Sequence, residues 1–178
     1  MKKEGSFTLI FIVMIGSLII AALWDKLPKI KATIHYVLDP SAGALLNWNL
    51  VLGMLIIVFI ISALITIIQK YTTDQKALKE MKAEQKEIQK QMKEFRNNPE
   101  KMMELQKRQM SFMPRQLKLG MGSIAYTSVP IILLFRWFYD YFTSIGNPKF
   151  FGFLGWIWFY LLSSLIFSII LKKWWDVA

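Results

Sequence analysis

Apolar residues along this chain come in long unbroken runs. Charge-free stretches extend from Gly5 to Trp24, from Pro40 to Gln69, from Leu119 to Phe135 and from Phe150 to Leu171. A helix rises about 1.5 Å per residue, so ~20 apolar residues cross a hydrocarbon core of about 30 Å. Each run predicts a spanning helix, the third once Arg136 and the aromatics after it are included. Between the second and third runs the period changes. Leu78, Met81, Gln85, Ile88, Met92 and Phe95 recur by threes and fours, the a/d spacing of a coiled-coil seam. "RNNPEK" interrupts this pattern, with Asn98 placed to cap a second helix and Pro99 to open it. Met102, Leu105, Gln109 and Phe112 then repeat the amphipathic spacing. Two such arms should fold back as an antiparallel hairpin, and Pro114 should end the second.

The expected fold is therefore an all-α integral membrane protein. It has a three-span core with a cytoplasmic coiled-coil hairpin, plus an amino-terminal signal-anchor span. Residues 1–24 form the anchor, with a cleaved signal peptide as the alternative. Residues 25–46 form an outer connector, in which Leu27, Ile30, Ile34 and Leu38 have the spacing of a helix lying on the membrane surface; an ordinary connector is the competing reading. The core spans are 47–69, 119–142 and 150–171, separated by the hairpin at 70–118 and an outer loop at 143–149, with a tail at 172–178.

Composition supports membrane integration: 54% of the 178 residues are hydrophobic and the mean hydropathy is +0.37. Charge sets the direction. Of a net +10, residues 70–118 contribute 13 basic against 7 acidic side chains, a net of +6. The positive-inside rule places that loop in the cytoplasm. The first run then starts inside, the second runs inward, the third outward and the fourth inward. Lys172, Lys173, Trp174 and Trp175 after the last run agree with a multi-pass protein whose C-terminus is cytoplasmic. The absence of cysteine excludes disulfide, thiolate and zinc-thiolate chemistry. His35 is the single histidine, and no Ser/His/Asp set or Gly-rich phosphate loop can be assembled. The chain does not read as an enzyme, and no cofactor or metal is expected.

Polar residues inside the spans share faces. Ser62, Thr66 and Gln69 lie along one side of the second run, Ser123, Tyr126, Thr127 and Ser128 come early in the third, and Tyr160, Ser164 and Ser168 follow i, i+4, i+8 in the fourth. With the directions above, all fall in cytoplasmic halves. Aromatics such as Phe135, Trp137, Phe138, Phe150 and Trp156 fill the outer halves. Agreement among three spans predicts a partly hydrated recess, open inward and closed outward. The competing reading is that the hydroxyls serve dry helix contacts. Arg136 stands outward of the middle of its span and four residues before Asp140. Unpaired near a bilayer centre it would cost about 2.5–3.5 kcal/mol. Either it pairs with Asp140 and reaches the outer headgroups, or it stands at the blind end of the recess and holds water there.

Six of the ten methionines, Met81, Met92, Met102, Met103, Met110 and Met113, fall in the hairpin. Met81 and Met92 suit the seam. Adjacent Met102 and Met103 cannot both face it, which leaves the second arm as a candidate surface for varied apolar partners.

The helix running into "YTTDQKALKEMKAEQKEIQKQMKEF", the return arm "NNPEKMMELQKRQM" and "SVPIILLFRW" together resemble the archaeal YidC-like insertases, relatives of bacterial YidC and of the core subunit of the ER membrane protein complex. The likeness covers about residues 47–175. It implies a membrane protein insertase whose core spans enclose a hydrophilic groove, open to cytoplasm and lipid, that eases nascent membrane proteins into an archaeal plasma membrane. No nucleotide or metal is implied. Ser62, Thr66, Gln69, Ser123, Tyr126, Thr127, Ser164 and Ser168 would line the groove. Arg136 would stand in for the groove arginine that bacterial members carry on the first core span. Met102, Met103, Met110 and Met113, with Lys90, Lys93, Arg96, Lys101, Lys107 and Arg108, would meet substrate, ribosomal RNA or anionic lipids. Two other readings compete. One is a docking receptor for a factor that delivers tail-anchored proteins. The other is an ion channel, which would need an intramembrane acidic site deeper than any here.

Overall fold

A computed structural model describes residues 7–177, and their side chains except those of residues 7–10, 121, 122 and 125. Lys2 and Lys3, which orient the first run, lie outside the described residues. The helices are α1 (Phe7–Ala22), α2 (Pro28–Leu38), α3 (Ala44–Trp48), α4 (Leu50–Thr72), α5 (Gln75–Glu94), α6 (Pro99–Ser144) and α7 (Trp156–Trp174). No strand forms among the described residues; one bridge joins Phe150 to Leu154. The fold is all-helical, and α4 and α7 are long and apolar enough to cross a membrane. Short polar side chains start three helices. Asn49, Asp74 and Asn98 accept hydrogen bonds from the backbone N–H groups of Leu52, Ala77 and Lys101, the N-cap arrangement.

α4 packs most extensively on α7, α1 runs along α6, and α4 meets α6 over a shorter stretch. One end of this bundle is covered by a strap made of α2, a π-type turn at Asp39–Gly43, and α3. The hairpin of α5 and the first part of α6 projects from the other end. Its seam buries Met81, Ile88, Leu105 and Phe112, flanked by Leu78, Met92, Phe95 and Leu119. The tail turns back onto the hairpin: Val177 is buried and Asp176 pairs with Lys79.

Pro114 does not end the second arm; α6 continues through it and through Pro130 for 46 residues. A proline in a helix interior normally costs about 3 kcal/mol. Phe112 and Leu119, seven residues apart on either side of Pro114, both pack into the hairpin seam, and that shared contact keeps the helix in phase. The last helix also starts later than the charge-free run. Residues Phe150–Leu154 form a tight turn instead, with Asn147 and Phe151 at φ 52° and Gly146 and Gly152 at φ 81° and 84°. The turn folds Phe150 into an aromatic layer at the strap end. There Phe142 stacks on Trp156 with centroids 5.5 Å apart, and Phe150 stacks on Phe159 at 4.2 Å.

The strap crosses α4 at close range. A Cβ added to Gly53 would lie 2.3 Å from the carbonyl oxygen of Leu45, whereas one added to Gly16 meets nothing within 4 Å. Gly53→Ala should therefore lower stability by about 1–3 kcal/mol, the usual cost of overpacking, and Gly16→Ala should not. Thermal unfolding midpoints in detergent check this, and equal midpoints for the two variants would contradict the close crossing.

Candidate functional site

The two ends of the bundle differ in chemistry. At the strap end, Asp140 of α6 gathers three partners. The buried indole of Trp24 donates to its Oδ2 at 2.7 Å, the Lys31 ammonium lies at 3.1 Å, and His35 Nε2 lies at 3.3 Å. His35 Nδ1 faces Asp39 at 3.1 Å, and Asp39 also accepts from the indole of Trp137 at 2.7 Å. Tyr141 donates to Asn47 at 2.7 Å. A polar cavity of about 630 Å³ lies beside these groups, lined by Lys31, His35, Asp39, Asn47, Asp140 and neighbours on α6.

Arg136 belongs to this network and not to a recess. Its guanidinium meets Asp25 at 3.6 Å and lies 5.8 Å from the Trp24 ring centroid and 5.4 Å from that of Tyr139. Its Nε is buried without a hydrogen bond. The i, i+4 pairing with Asp140 is replaced as well. Trp24, Lys31 and His35 occupy Asp140, and the turn at Trp24–Lys26 presents Asp25 to the arginine.

At the hairpin end, α4, α5, α6 and α7 surround a second cavity of about 540 Å³, mixed in lining but far more polar than the groove beside it. Gln69, Thr73, Gln75, Lys82, Gln116, Ser123 and Lys172 supply its polar wall, and Leu78, Met113, Leu117 and Ile124 its apolar one. A third cavity, about 520 Å³ and almost wholly apolar, runs between α4 and α6 beneath α2. Ile61, Leu64, Ile65 and Ile68 face Thr127, Val129, Pro130, Ile131, Leu133 and Leu134 across it. Ser123 lines the polar cavity and Thr127, one turn further along α6, lines the apolar groove. Gln69 and Ile68 make the same change on α4.

The polar positions singled out from sequence therefore part company. Gln69 and Ser123 line the polar cavity, and Thr127 lines the groove. Ser62 and Thr66 are buried, with the Thr66 hydroxyl donating to the Ser62 carbonyl at 2.7 Å; Thr127 likewise donates to the Ser123 carbonyl at 3.0 Å. These bonds satisfy the two threonine hydroxyls within their own helices. Tyr126 is 66% exposed, and Tyr126, Ser164 and Ser168 line none of the three cavities. Ser164 donates to the Leu161 carbonyl at 3.0 Å, and its neighbour Ser163 is the buried serine of α7. Thr73, Gln75, Lys82, Gln116 and Lys172 were missed because they sit in the helix junctions and on the hairpin, outside the apolar runs.

On the hairpin, Met103, Met110 and Met113 are more than half exposed, whereas Met102 is half-buried. Lys90, Lys93, Arg96, Lys101, Lys107 and Arg108 are exposed; Lys101 lies 4.1 Å from the centroid of the Phe95 ring, and Lys90 is 3.7 Å from Glu87.

A known family matches this chain over residues 35–171: the integral membrane proteins described as EMC3/TMCO1-like. The chain belongs to that family. No curated protein and no solved structure gives a match. The EMC3/TMCO1-like region takes in most of the strap, the hairpin and most of the residues that line the two end cavities and the groove; α1, Lys31, Thr33, Ile34 and Lys172 lie outside it.

The strap-end network makes two predictions. Asp140→Ala leaves the buried Trp24 N–H without its acceptor and should cost about 1–3 kcal/mol, read as a lower unfolding midpoint and faster proteolysis of the strap. Asp25 and then Asp140 raise the Lys31 ammonium above its ordinary value of 10.5. The tie is thus complete below that value and is lost only as pH rises through the raised one. Proteolysis of the wild-type strap should stay slow from neutral pH to 10 and accelerate above it; acceleration near neutrality would contradict the Lys31 tie.

Proposed function

We propose that this chain helps nascent membrane proteins enter the bilayer. The EMC3/TMCO1-like family is linked to membrane protein insertion in general. The observation that carries the reading is the passage from polar cavity to apolar groove within one turn of both α4 and α6. An apolar segment finds hydrocarbon-like walls between α4 and α6, while the polar residues next to it stay hydrogen-bonded to Gln69, Ser123 and their neighbours. Carrying a charged side chain across a bilayer centre costs about 2.5–3.5 kcal/mol or more, and a wet notch shortens the distance over which that cost applies. The help is positional, with no bond made or broken, so no cofactor takes part.

In this reading the hairpin end faces the cytoplasm, following its excess of lysine and arginine. The second core span is the stretch of α6 after the hairpin, returning between α4 and α1. The exposed Met103, Met110 and Met113 offer a first apolar contact to an emerging segment. The basic residues of the hairpin meet ribosomal RNA or anionic headgroups, with a strong dependence on salt.

The test uses purified protein in vesicles and a single-span substrate with a short polar tail. Wild type should raise insertion well above empty vesicles. Gln69→Leu with Ser123→Leu should lower it about thirtyfold, two hydrogen-bonding groups at ~1 kcal/mol each. Unchanged insertion by a stably folded double variant would overturn the reading.

A further inference from the structure

We propose that the hairpin-end cavity binds the phosphodiester headgroup of an anionic membrane lipid between Lys82 of α5 and Lys172 of α7. This goes beyond the insertion reading and does not depend on it. It also differs from a diffuse attraction to the hairpin, because it assigns one built site to two lysines on different elements.

The charge distribution comes first. The cavity wall contains two lysines and no carboxylate. Both side chains line this one cavity, Lys82 exposed and Lys172 half-buried. Three lysines pair with acids: Lys31 meets Asp25 and Asp140, Lys79 meets Asp176 and Lys90 meets Glu87. Among the described residues neither Lys82 nor Lys172 has an ion pair. Two cations brought together across a cavity without an anion repel, and a bound monoanion turns that repulsion into two attractions. Gln116 and Ser123 add neutral hydrogen-bonding groups for the remaining oxygens.

Depth and shape then select the source of the phosphate. On α4 the apolar run ends at Gln69 and Lys70, and on α7 it ends at Leu171 and Lys172. Gln69 and Lys172 both line the cavity, so it lies at the polar boundary of two spanning helices, where lipid phosphates sit. Its wall changes from lysine and glutamine to Leu78, Leu117 and Ile124, and Leu117 and Ile124 are exposed. A soluble phosphate has no use for that apolar flank. The glycerol and first methylenes of a lipid do.

Native mass spectrometry of the full chain in detergent tests the proposal. The probes are palmitoyl-oleoyl phosphatidylglycerol, the matching phosphatidylcholine, and inorganic phosphate. Phosphatidylglycerol should bind more tightly than phosphatidylcholine. Lys82→Gln with Lys172→Gln should weaken it about thirtyfold, the equivalent of two lysines near an anionic surface. Lys82→Arg with Lys172→Arg should retain it, and the charge-matched Lys86→Gln with Lys149→Gln should leave it unchanged. Full binding by the Lys82/Lys172 glutamine variant, or equal loss in the charge-matched control, would overturn the site. Displacement of the lipid by inorganic phosphate would assign the cavity to a soluble anion and overturn the lipid reading. No insertion substrate is present, so loss of lipid binding and failure of insertion are read separately.

Discussion

One carboxylate closes one end of this bundle. Asp140 is mostly buried, and an uncompensated charge there would cost several kcal/mol. Compensation comes from three side chains on other elements: the Trp24 indole just after α1, and Lys31 and His35 on α2. The strap must therefore lie against α6, and α1 must end where it does. Behind this network, Trp137, Phe138, Phe142, Phe150 and Trp156 fill the space between α6 and α7. Aromatic surface and paired charge together leave little freedom at that end.

At the opposite end Lys79 pairs with Asp176, and the described residues form no comparable network. α4 packs on α7 but meets α6 less extensively, and the gap between α4 and α6 becomes the apolar groove. Where the helices leave the apolar layer, glutamines, hydroxyls and two lysines face a shared cavity. The hairpin base and the tail hold this cavity open from outside. Met81 and Phe112 fix α5 on α6, and Asp176 with Val177 ties the end of α7 to α5. A bundle closed by charge at one end and lined by glutamines, hydroxyls and lysines at the other has two chemically different ends.

Much of this was legible in the order of residues, because long apolar runs and a/d spacing have few solutions. The hairpin seam could be read from Met81, Ile88, Leu105 and Phe112, and the cap at Asn98 from its place before Pro99. The fate of single polar side chains could not. Ser62, Thr66 and Thr127 share faces as the spacing requires, yet Thr66 and Thr127 donate to carbonyls one turn back, a choice that helix periodicity does not encode. Arg136 was misplaced for a different reason. Its partner Asp25 is 111 positions away in the chain, and local spacing pointed to Asp140. That Lys82 and Lys172 line one cavity depends on how the hairpin leans on α7, a tertiary fact that local spacing does not carry.

The central claim is that water reaches Gln69 and Ser123 from the hairpin side and stops short of Ser62 and Thr66. The chain contains no cysteine, so single thiols can be placed without background. The direct measurement is labelling of Gln69→Cys, Ser123→Cys, Ser62→Cys and Thr66→Cys, one at a time, with a membrane-impermeant maleimide in oriented vesicles. The account predicts rapid labelling at 69 and 123 from the hairpin side alone and protection at 62 and 66. Protection at all four positions, or labelling of 69 and 123 from the strap side, would contradict it.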